Sequence, residues 1–440
     1  MPTSFLPYEP EQNFLLPPSP REWLPEDHLA YFVSEIIDRL DLQIFYARYE
    51  GDGRRNQPFD PAMLVKVLVY AYATGVFSSR KIARKLYEDI AFRVLGAGNF
   101  PAHRTICDFR LRHLAELKGL FMQVIRMAKE LGLVKLGTIA LDGTKVKANA
   151  SKHKAMSYGR MKEQEQKLKE EIKQLLERAR ITDAQEDARL GAEQIDEQLP
   201  AELQRREGRL AKIQAAKARL EQRQAEADRE AGRHPDDNQR RGGGAGRPFK
   251  RPFGEPEKKA QDNFTDPESR IMKLGTAFEQ CYNAQAAVDA ESQLIVASGL
   301  TNNAADNSEL VPMIEAVKSN LGKLPQRALA DSGYRSEQAF VKLEDKQVQT
   351  LVALGREGKD RPAIDPEQYP ASARMAERMA TPEGQAHYRR RKAIVEPVFG
   401  WMKHILGFRQ FSLRGLVKVQ GEWDLMCLAL NVRRMWALQT

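Results

Sequence analysis

The sequence predicts an α/β protein in which a mixed five-stranded sheet follows an all-α region and is interrupted by an inserted helical hairpin. Three observations support this fold class. Apolar residues recur every three or four positions from residue 28 to about 130. Five short apolar runs with strand-like patterns lie between residues 138 and 354. Between the first and second runs, residues 161–231 are dominated by Ala, Glu, Lys, Leu, Gln and Arg, a composition typical of long helices.

The first 130 residues divide into a strap and a helical region. Residues 1–27 contain seven prolines, so we expect an extended strap that lies against another part of the protein. In the helical region, residues 28–130, Asp60 followed by Pro61 predicts the start of a helix. A helix that begins at Ser78 or Ser79 and runs through Ile90 is followed by a Gly-containing turn and a basic helix. This layout is typical of a helix-turn-helix, and a helical bundle with a solvated basic face is the alternative.

The basic helix of this pair carries candidate contacts to DNA. We expect His103, Arg104, Arg110, Arg112 and His113 on its outer face, with Ile106 and Phe109 inside.

Two segments after the first strand are predicted to lie outside the sheet. Met161, Leu168 and Leu175 are spaced by seven, and the pattern resumes after Pro200, so residues 161–231 predict an antiparallel helical hairpin. Residues 232–262 are rich in Gly, Pro and Arg and predict a flexible basic linker.

The five strands are expected in one order along the chain. The first contains Asp142, the next two form a hairpin, and the last two are separated by helices. Their ranges are residues 138–148, 282–288, 294–300, 329–331 and 350–354. Residues 355–384 are polar and contain prolines, which predicts a loop or lid. A helix is expected over residues 387–406, and a packing helix over residues 416–438.

Three acids stand out as candidate metal ligands. Asp142 lies within an apolar strand, Asp331 follows another, and Glu396 lies in a basic helix. Three hard oxygen donors that converged would form an open site for two divalent cations, with Mg²⁺ the best match.

Each acid also has a structural explanation. Asp142-Gly143 suits a tight hairpin turn, Asp331 could begin a plain turn, and Glu396 could form a surface ion pair with Lys392. Four other acids in this region are expected to be structural, and Asp306 in particular is expected to cap a helix. These four are Asp266, Asp289, Asp306 and Asp424.

The motifs LDGTKVKANAS, ADSGYRSE and IVEPVFGWMK, in this order, resemble those of the DDE-class transposases of bacterial insertion sequences. The resemblance implies an RNase H-like catalytic core formed by residues 131–160 and 263–440. It implies that Asp142, Asp331 and Glu396 are the catalytic residues and hold two Mg²⁺ ions, for which Mn²⁺ could substitute. The implied reaction is 3′ cleavage of DNA at the element ends followed by strand transfer.

The resemblance also implies partners. The helical region would bind double-stranded DNA at the terminal inverted repeats, and a homodimer would pair the two ends and capture target DNA. Lys392 and Lys403 lie four residues before and seven after Glu396, so on a regular α-helix they share its face, where we expect them to hold the phosphates beside the cleaved bond. Related transposases often carry a Tyr-x2-Arg-x3-Glu-x6-Lys signature, in which this chain keeps only Glu396-x6-Lys403, so Tyr388 and Arg391 receive no role. Two alternatives stay open, a nuclease of the same fold without strand transfer and a non-catalytic DNA-binding protein derived from a transposase.

Composition agrees with a DNA-binding protein of the cytoplasm. The chain has 69 Lys and Arg against 60 Asp and Glu, a net charge of +9, which favours polyanions. Its three cysteines stand far apart, so neither a zinc site nor a disulfide framework is expected. With no signal peptide or long apolar run, we expect a cytoplasmic, nucleoid-associated protein with no membrane contact.

Overall fold

A computed structural model describes residues 19–49, 57–187, 198–236, 251–355 and 364–439. Residues 1–18, which make up most of the expected strap, and residues 237–250 of the expected linker lie outside the described residues. No helix in the described ranges is long and apolar enough to cross a membrane.

The N-terminal region is helical, as predicted. Asp60 caps the third helix by accepting a hydrogen bond from the Met63 N–H at 3.1 Å, which confirms the predicted start. The helix expected through Ile90 instead ends at Glu88, because Asp89 caps a new helix by accepting from the N–H groups of Ala91 and Phe92. The helices are α1 (Leu29–Asp38), α2 (Gln43–Tyr46), α3 (Pro61–Ala73), α4 (Ser79–Glu88), α5 (Ile90–Gly96), α6 (His103–Arg112) and α7 (Leu114–Glu130).

Eight strands follow in the described residues. They are β1 (Thr138–Lys147), β2 (Ala155–Ser157), β3 (Gln261–Asn263), β4 (Arg270–Leu274), β5 (Ala277–Asp289), β6 (Ile295–Thr301), β7 (Arg327–Ala330) and β8 (Gln349–Val352). The short strands β2 and β3 pair with each other, and the other six form the main sheet.

The main sheet has six strands rather than the five expected. Strand β5 begins at Ala277, earlier than predicted, and its first residues pair with β4. The rest of β5 lies antiparallel to β1 on one side and to β6 on the other. Strand β7 is parallel to β1, and β8 is parallel to β7. This mixed sheet is compatible with an RNase H-like domain.

The inserted segment forms two long antiparallel helices, α8 (Tyr158–Asp187) and α9 (Gln198–Glu230). They share a small apolar core of their own around Met161, Leu168 and Ile213. The buried carboxylate of Asp262, on β3, accepts hydrogen bonds from Arg219 and Arg223 of α9 and so fastens the base of the hairpin to the rest of the chain.

The C-terminal third contains more helix than expected. Its helices are α10 (Leu310–Leu321), α11 (Glu337–Asp345), α12 (Pro370–Ala380), α13 (Pro382–Arg389), α14 (Arg391–Gly400) and α15 (Leu416–Gln439). The loop or lid expected over residues 355–384 is wrong where α12 and α13 lie. The single helix expected over 387–406 is also wrong, because it breaks at Arg390 and turns into a π-helix at Trp401–Ile405.

One hydrophobic core joins the N-terminal helices to the sheet. Helix α15 packs against α3 and α7 on one side and against β6 on the other. Its Trp423 is fully buried and donates a hydrogen bond from Nε1 to the backbone oxygen of Gln285 at 3.0 Å. The N-terminal helices therefore pack directly against the unit that carries the candidate site.

Candidate active site

Asp142 lies in the middle of β1, flanked on its N-terminal side by the buried residues Ile139, Ala140 and Leu141. It pairs with Ala286 of β5, and Gly143 pairs with Gln285. The hairpin turn considered for Asp142-Gly143 is therefore wrong, because both residues continue a ladder. The carboxylate stands on a rigid strand.

The register between β1 and β7 brings a second acid beside Asp142. Thr138 pairs with Arg327 and Ala140 with Leu329 in parallel. Continued by two residues, the same register aligns Asp142 with Asp331, which follows the last residue of β7. Neighbouring strands are about 4.8 Å apart, so the two acids stand side by side. Asp331 also begins a turn, because its Oδ1 accepts from the Gly333 N–H at 2.8 Å.

The surroundings of Asp142 disfavour its charge. Burial raises the pKa of its carboxyl to about 6, and the negative charge of Asp331 adds to the increase. The guanidinium of Arg391 and the N–H of Gly143 act in the opposite direction without cancelling it. Two adjacent carboxylates of this kind, one of them mostly buried, suit a cation.

This raised pKa predicts a pH dependence for the metal-free protein. Because the folded pKa lies above the unfolded value near 4, ionisation of Asp142 destabilises the fold. The stability contributed by the protonated Asp142 is fully present below pH 4 and is lost as pH rises through about 6. Its loss lowers the free energy of unfolding by about 3 kcal/mol. Asp142→Asn should therefore unfold at increasingly higher urea concentration than wild type as pH rises from 4 to 7.5 in EDTA. If the urea midpoints of the two proteins differed by the same amount at pH 4 and at pH 7.5, the raised pKa of Asp142 would be wrong.

Arg391 is the basic residue that the structure places at Asp142. Its side chain is 9% exposed, and its Nη1 lies 3.7 Å from Oδ2 of Asp142. Its Nε and Nη1 have no hydrogen-bond partner among the described residues, and its guanidinium lies 6.0 Å from the centre of the Tyr388 ring. Sequence reasoning gave this pair no role. The sequence did contain a signal, because Tyr388-x2-Arg391 has the Tyr-x2-Arg spacing of the signature. Four residues, rather than three, then separate Arg391 from Glu396.

Glu396 does not join the two aspartates in this structure. It lies on α14 and is exposed, and it makes no hydrogen bond or ion pair with the residues that the structure describes. In the same ranges, no group of three His, Cys, Asp or Glu side chains is placed to hold a metal ion. The role of Glu396 stays a prediction.

The two lysines predicted to hold phosphates lie on either side of Glu396 in sequence. Lys392 is exposed, whereas Lys403 is half-buried and donates from Nζ to the backbone oxygen of Lys145 at 2.9 Å. Desolvation lowers the pKa of Lys403. Glu396 and Lys403 would share one helical face only on an unbroken α-helix, which the structure does not have here. The π-helix that contains Lys403 has more residues per turn and changes that angle.

The two arginines predicted to contact DNA both lie on helix α6 but differ in exposure. Arg104 is exposed, as expected. Arg110 is only 3% exposed and donates to the Tyr72 hydroxyl at 2.8 Å and to the Phe77 backbone oxygen at 3.0 Å. The outward placement of Arg110 is wrong, as is that of the buried His113, because this face of α6 packs against other parts of the protein. The buried guanidinium of Arg110 is therefore not available for contact with DNA.

Asp306 does not cap a helix, which corrects the sequence-based expectation. Helix α10 begins after Glu309, and the Asp306 carboxylate instead accepts hydrogen bonds from Asn283 and Gln285 of β5. The other three acids expected to be structural are buried and hydrogen-bonded away from Asp142. Asp266 accepts from Tyr282, Asp289 from Ser292, and Asp424 from Ser298.

The donor chemistry of the site fits a divalent metal ion. Asp142, in the middle of β1, and Asp331, directly after β7, offer hard oxygen ligands, and their mutual repulsion is the kind that a bound cation relieves.

Comparisons with known proteins identify two regions. Residues 249–432 match the family model described as "Transposase DDE domain", and residues 18–112 match that described as "Transposase domain (DUF772)". Together the two matches cover more than half of the chain. The first includes Asp331 and Glu396 but not Asp142. No curated protein and no solved structure matches the chain.

Proposed function

The chain belongs to the DDE-class transposases of insertion sequences, and we propose that it cleaves DNA at the 3′ ends of its element and joins those ends to target DNA. The observation that carries the proposal is the parallel register of β1 and β7, which aligns Asp331 with Asp142 when it is continued past the last residue of β7, together with the effect of the Asp331 charge on Asp142. Two carboxylates held side by side on neighbouring central strands of the sheet suit metal-assisted phosphoryl chemistry.

Asp142 and Asp331 would hold the Mg²⁺ ions, and Glu396 would complete the ligand set. When bound, two such ions supply activation of the attacking oxygen and stabilisation of the charge that develops on the phosphate. The protein's own contribution is to hold the two aspartates in place. Asp142 stands on a strand and Asp331 directly follows one, and the positive charge of Arg391 partly offsets the burial that disfavours the ionised form of Asp142.

Basic side chains would hold the DNA around this site. Lys403 donates a hydrogen bond directly to β1, the strand that carries Asp142, and Lys392 is exposed on α14. Arg104, on the exposed face of α6, would contact the terminal repeat. As in the family that the chain resembles, a homodimer would pair the two element ends. Cleavage and joining of the DNA would take place in the bacterial cytoplasm.

The test is an assay of cleavage and joining on duplex DNA that carries both ends of the element. The full-length protein is incubated with the DNA in Mg²⁺ or in EDTA, and products are resolved on a denaturing gel. The proposal predicts 3′ cleavage and joined products in Mg²⁺ and neither in EDTA. Cleavage with no joined product would favour a nuclease of the same fold. Specific binding with no cleavage would favour a non-catalytic DNA-binding protein.

A further inference from the structure

Asp306 lies in the loop between β6 and α10, and two buried amides fix its carboxylate. Its Oδ1 accepts hydrogen bonds from Nδ2 of Asn283 and Nε2 of Gln285, both at 2.7 Å. Both amide side chains are fully buried. Both belong to β5, where Gln285 pairs with Gly143 and Asn283 pairs with Lys145 of β1. The carboxylate is therefore anchored to the strand next to the one that carries Asp142.

The same group of side chains reaches the loop that carries Asp331. Tyr334 follows Asp331 by three residues, is fully buried, and donates its hydroxyl hydrogen to Oε1 of Gln285. This bond fixes the amide of Gln285, because its oxygen must face Tyr334 and its nitrogen must face Asp306. Burial raises the pKa of Tyr334 well above its usual range, so the hydroxyl remains a donor.

Two glycines let this group pack directly on the backbone beside the aspartates. A Cβ at Gly143 would lie 2.5 Å from Nε2 of Gln285 and 2.6 Å from Oδ1 of Asp306. A Cβ at Gly333 would lie 3.3 Å from Oδ2 of Asp306. One carboxylate thus approaches the residue after Asp142 and the turn that Asp331 begins.

We propose that Asp306, held by Asn283 and Gln285, is a positioning residue that keeps Asp142 and Asp331 at the separation needed to bind a divalent cation. It acts through hydrogen bonds and packing and is not itself a ligand. Strand β5 transmits the constraint to β1, and Tyr334 transmits it to the loop after β7. The inference rests on the proposed function, because it assigns the two aspartates to one metal site.

Titration of the full-length protein with Mn²⁺ alone, followed by calorimetry, tests this role. Asp306→Ala leaves two buried amides without their acceptor and should weaken Mn²⁺ binding by roughly 10- to 100-fold, the usual effect of losing an outer support of a metal site. Asp306→Asn keeps an acceptor oxygen of the same shape and should bind within ~3-fold of wild type. A fall in thermal stability alone, with unchanged Mn²⁺ affinity in Asp306→Ala, would overturn the proposal.

The same two variants, Asp306→Ala and Asp306→Asn, distinguish the effect of the Asp306 charge from the effect of its hydrogen bonds. If Asp306→Asn lost as much affinity as Asp306→Ala, the negative charge would be what matters, and the positioning role would be wrong. Tyr334→Phe provides a second test if Asp306→Ala does not fold, because it deletes a single hydroxyl. It should weaken Mn²⁺ binding by roughly 3- to 10-fold, and unchanged binding would contradict the link through Gln285.

Asp142→Asn separates failure of the inference from failure of the proposed function. If wild type binds Mn²⁺ and Asp142→Asn does not, the metal site stands, and the Asp306 variants decide the inference alone. If wild type and Asp142→Asn behave alike, the metal site itself is wrong and the inference falls with it.

Discussion

Asp331→Asn should reduce metal-dependent cleavage of element-end DNA by at least ~10²-fold. Asn keeps the size of the side chain, and its oxygen can still accept the N–H of Gly333, so the turn after β7 should survive. The variant loses one negatively charged metal ligand beside Asp142. We therefore expect a folded protein that binds DNA with near-normal affinity and cuts it poorly.

The measurement is the initial rate of 3′ cleavage at saturating DNA, together with DNA affinity from a gel-shift titration. Asp345→Asn is the matched control, because Asp345 is an exposed acid at the end of α11. The control should cleave at the wild-type rate. Cleavage by Asp331→Asn at a rate within twofold of that control would remove Asp331 from the active site.

Arg110→Ala should lower the free energy of unfolding by about 3–5 kcal/mol, because it deletes one member of a buried polar network. Arg110 donates to the Tyr72 hydroxyl, and Tyr72 in turn donates to the buried carboxylate of Glu422 on α15 at 3.1 Å. Glu422 also accepts from the backbone N–H groups of Ser412 and Leu413. Loss of Arg110 leaves this buried acid without its nearby positive charge.

Arg104→Ala is the matched control, because it removes an exposed arginine from the same helix. Its free energy of unfolding should stay within ~0.5 kcal/mol of wild type. Its affinity for element-end DNA should fall, and the salt dependence of binding should decrease by about one phosphate contact. Urea denaturation and binding at several salt concentrations give both quantities. Equal stability of the Arg110→Ala and wild-type proteins would contradict the structural role of Arg110.

The two aspartates were predictable because local pattern and fold geometry agree there. An acid within an apolar strand and another just after a strand are visible in the sequence, and parallel pairing of the two strands brings these positions side by side. Asp142 and Asp331 are 189 residues apart in sequence. The paired residues Thr138 and Arg327 have the same separation, so the same register aligns the two aspartates. The resemblance to known motifs pointed to the same positions.

The prolines of the C-terminal third were misinterpreted for a physical reason. Pro370 and Pro382 suggested a loop, yet each stands in the first turn of a helix. Proline is favoured there because the first helical N–H groups have no intrahelical acceptor. Thr381 gave the available signal, since it caps α13 by accepting from the Gly384 N–H at 3.0 Å.

The burial of Arg110 and the contacts of Asp306 could not be predicted from local sequence. The partners of Arg110 lie 38 and 33 residues away, and the network extends to Glu422, more than 300 residues further on. Helical periodicity shows which residues share a face but not which face packs inward. Asp306 stands shortly before a helix in the sequence, and only the fold brings Asn283 and Gln285 to its carboxylate.

The most direct test of the central claim concerns Glu396, the one acid that the structure leaves outside the pair. Binding of Mn²⁺ would be measured by calorimetry for wild type and Glu396→Gln, each with element-end DNA bound and with Asp345→Asn as control. We expect Glu396→Gln, like Asp331→Asn, to bind fewer ions or to bind them at least ~10-fold more weakly than wild type. Identical Mn²⁺ binding by Glu396→Gln, wild type and the control would contradict the three-carboxylate site.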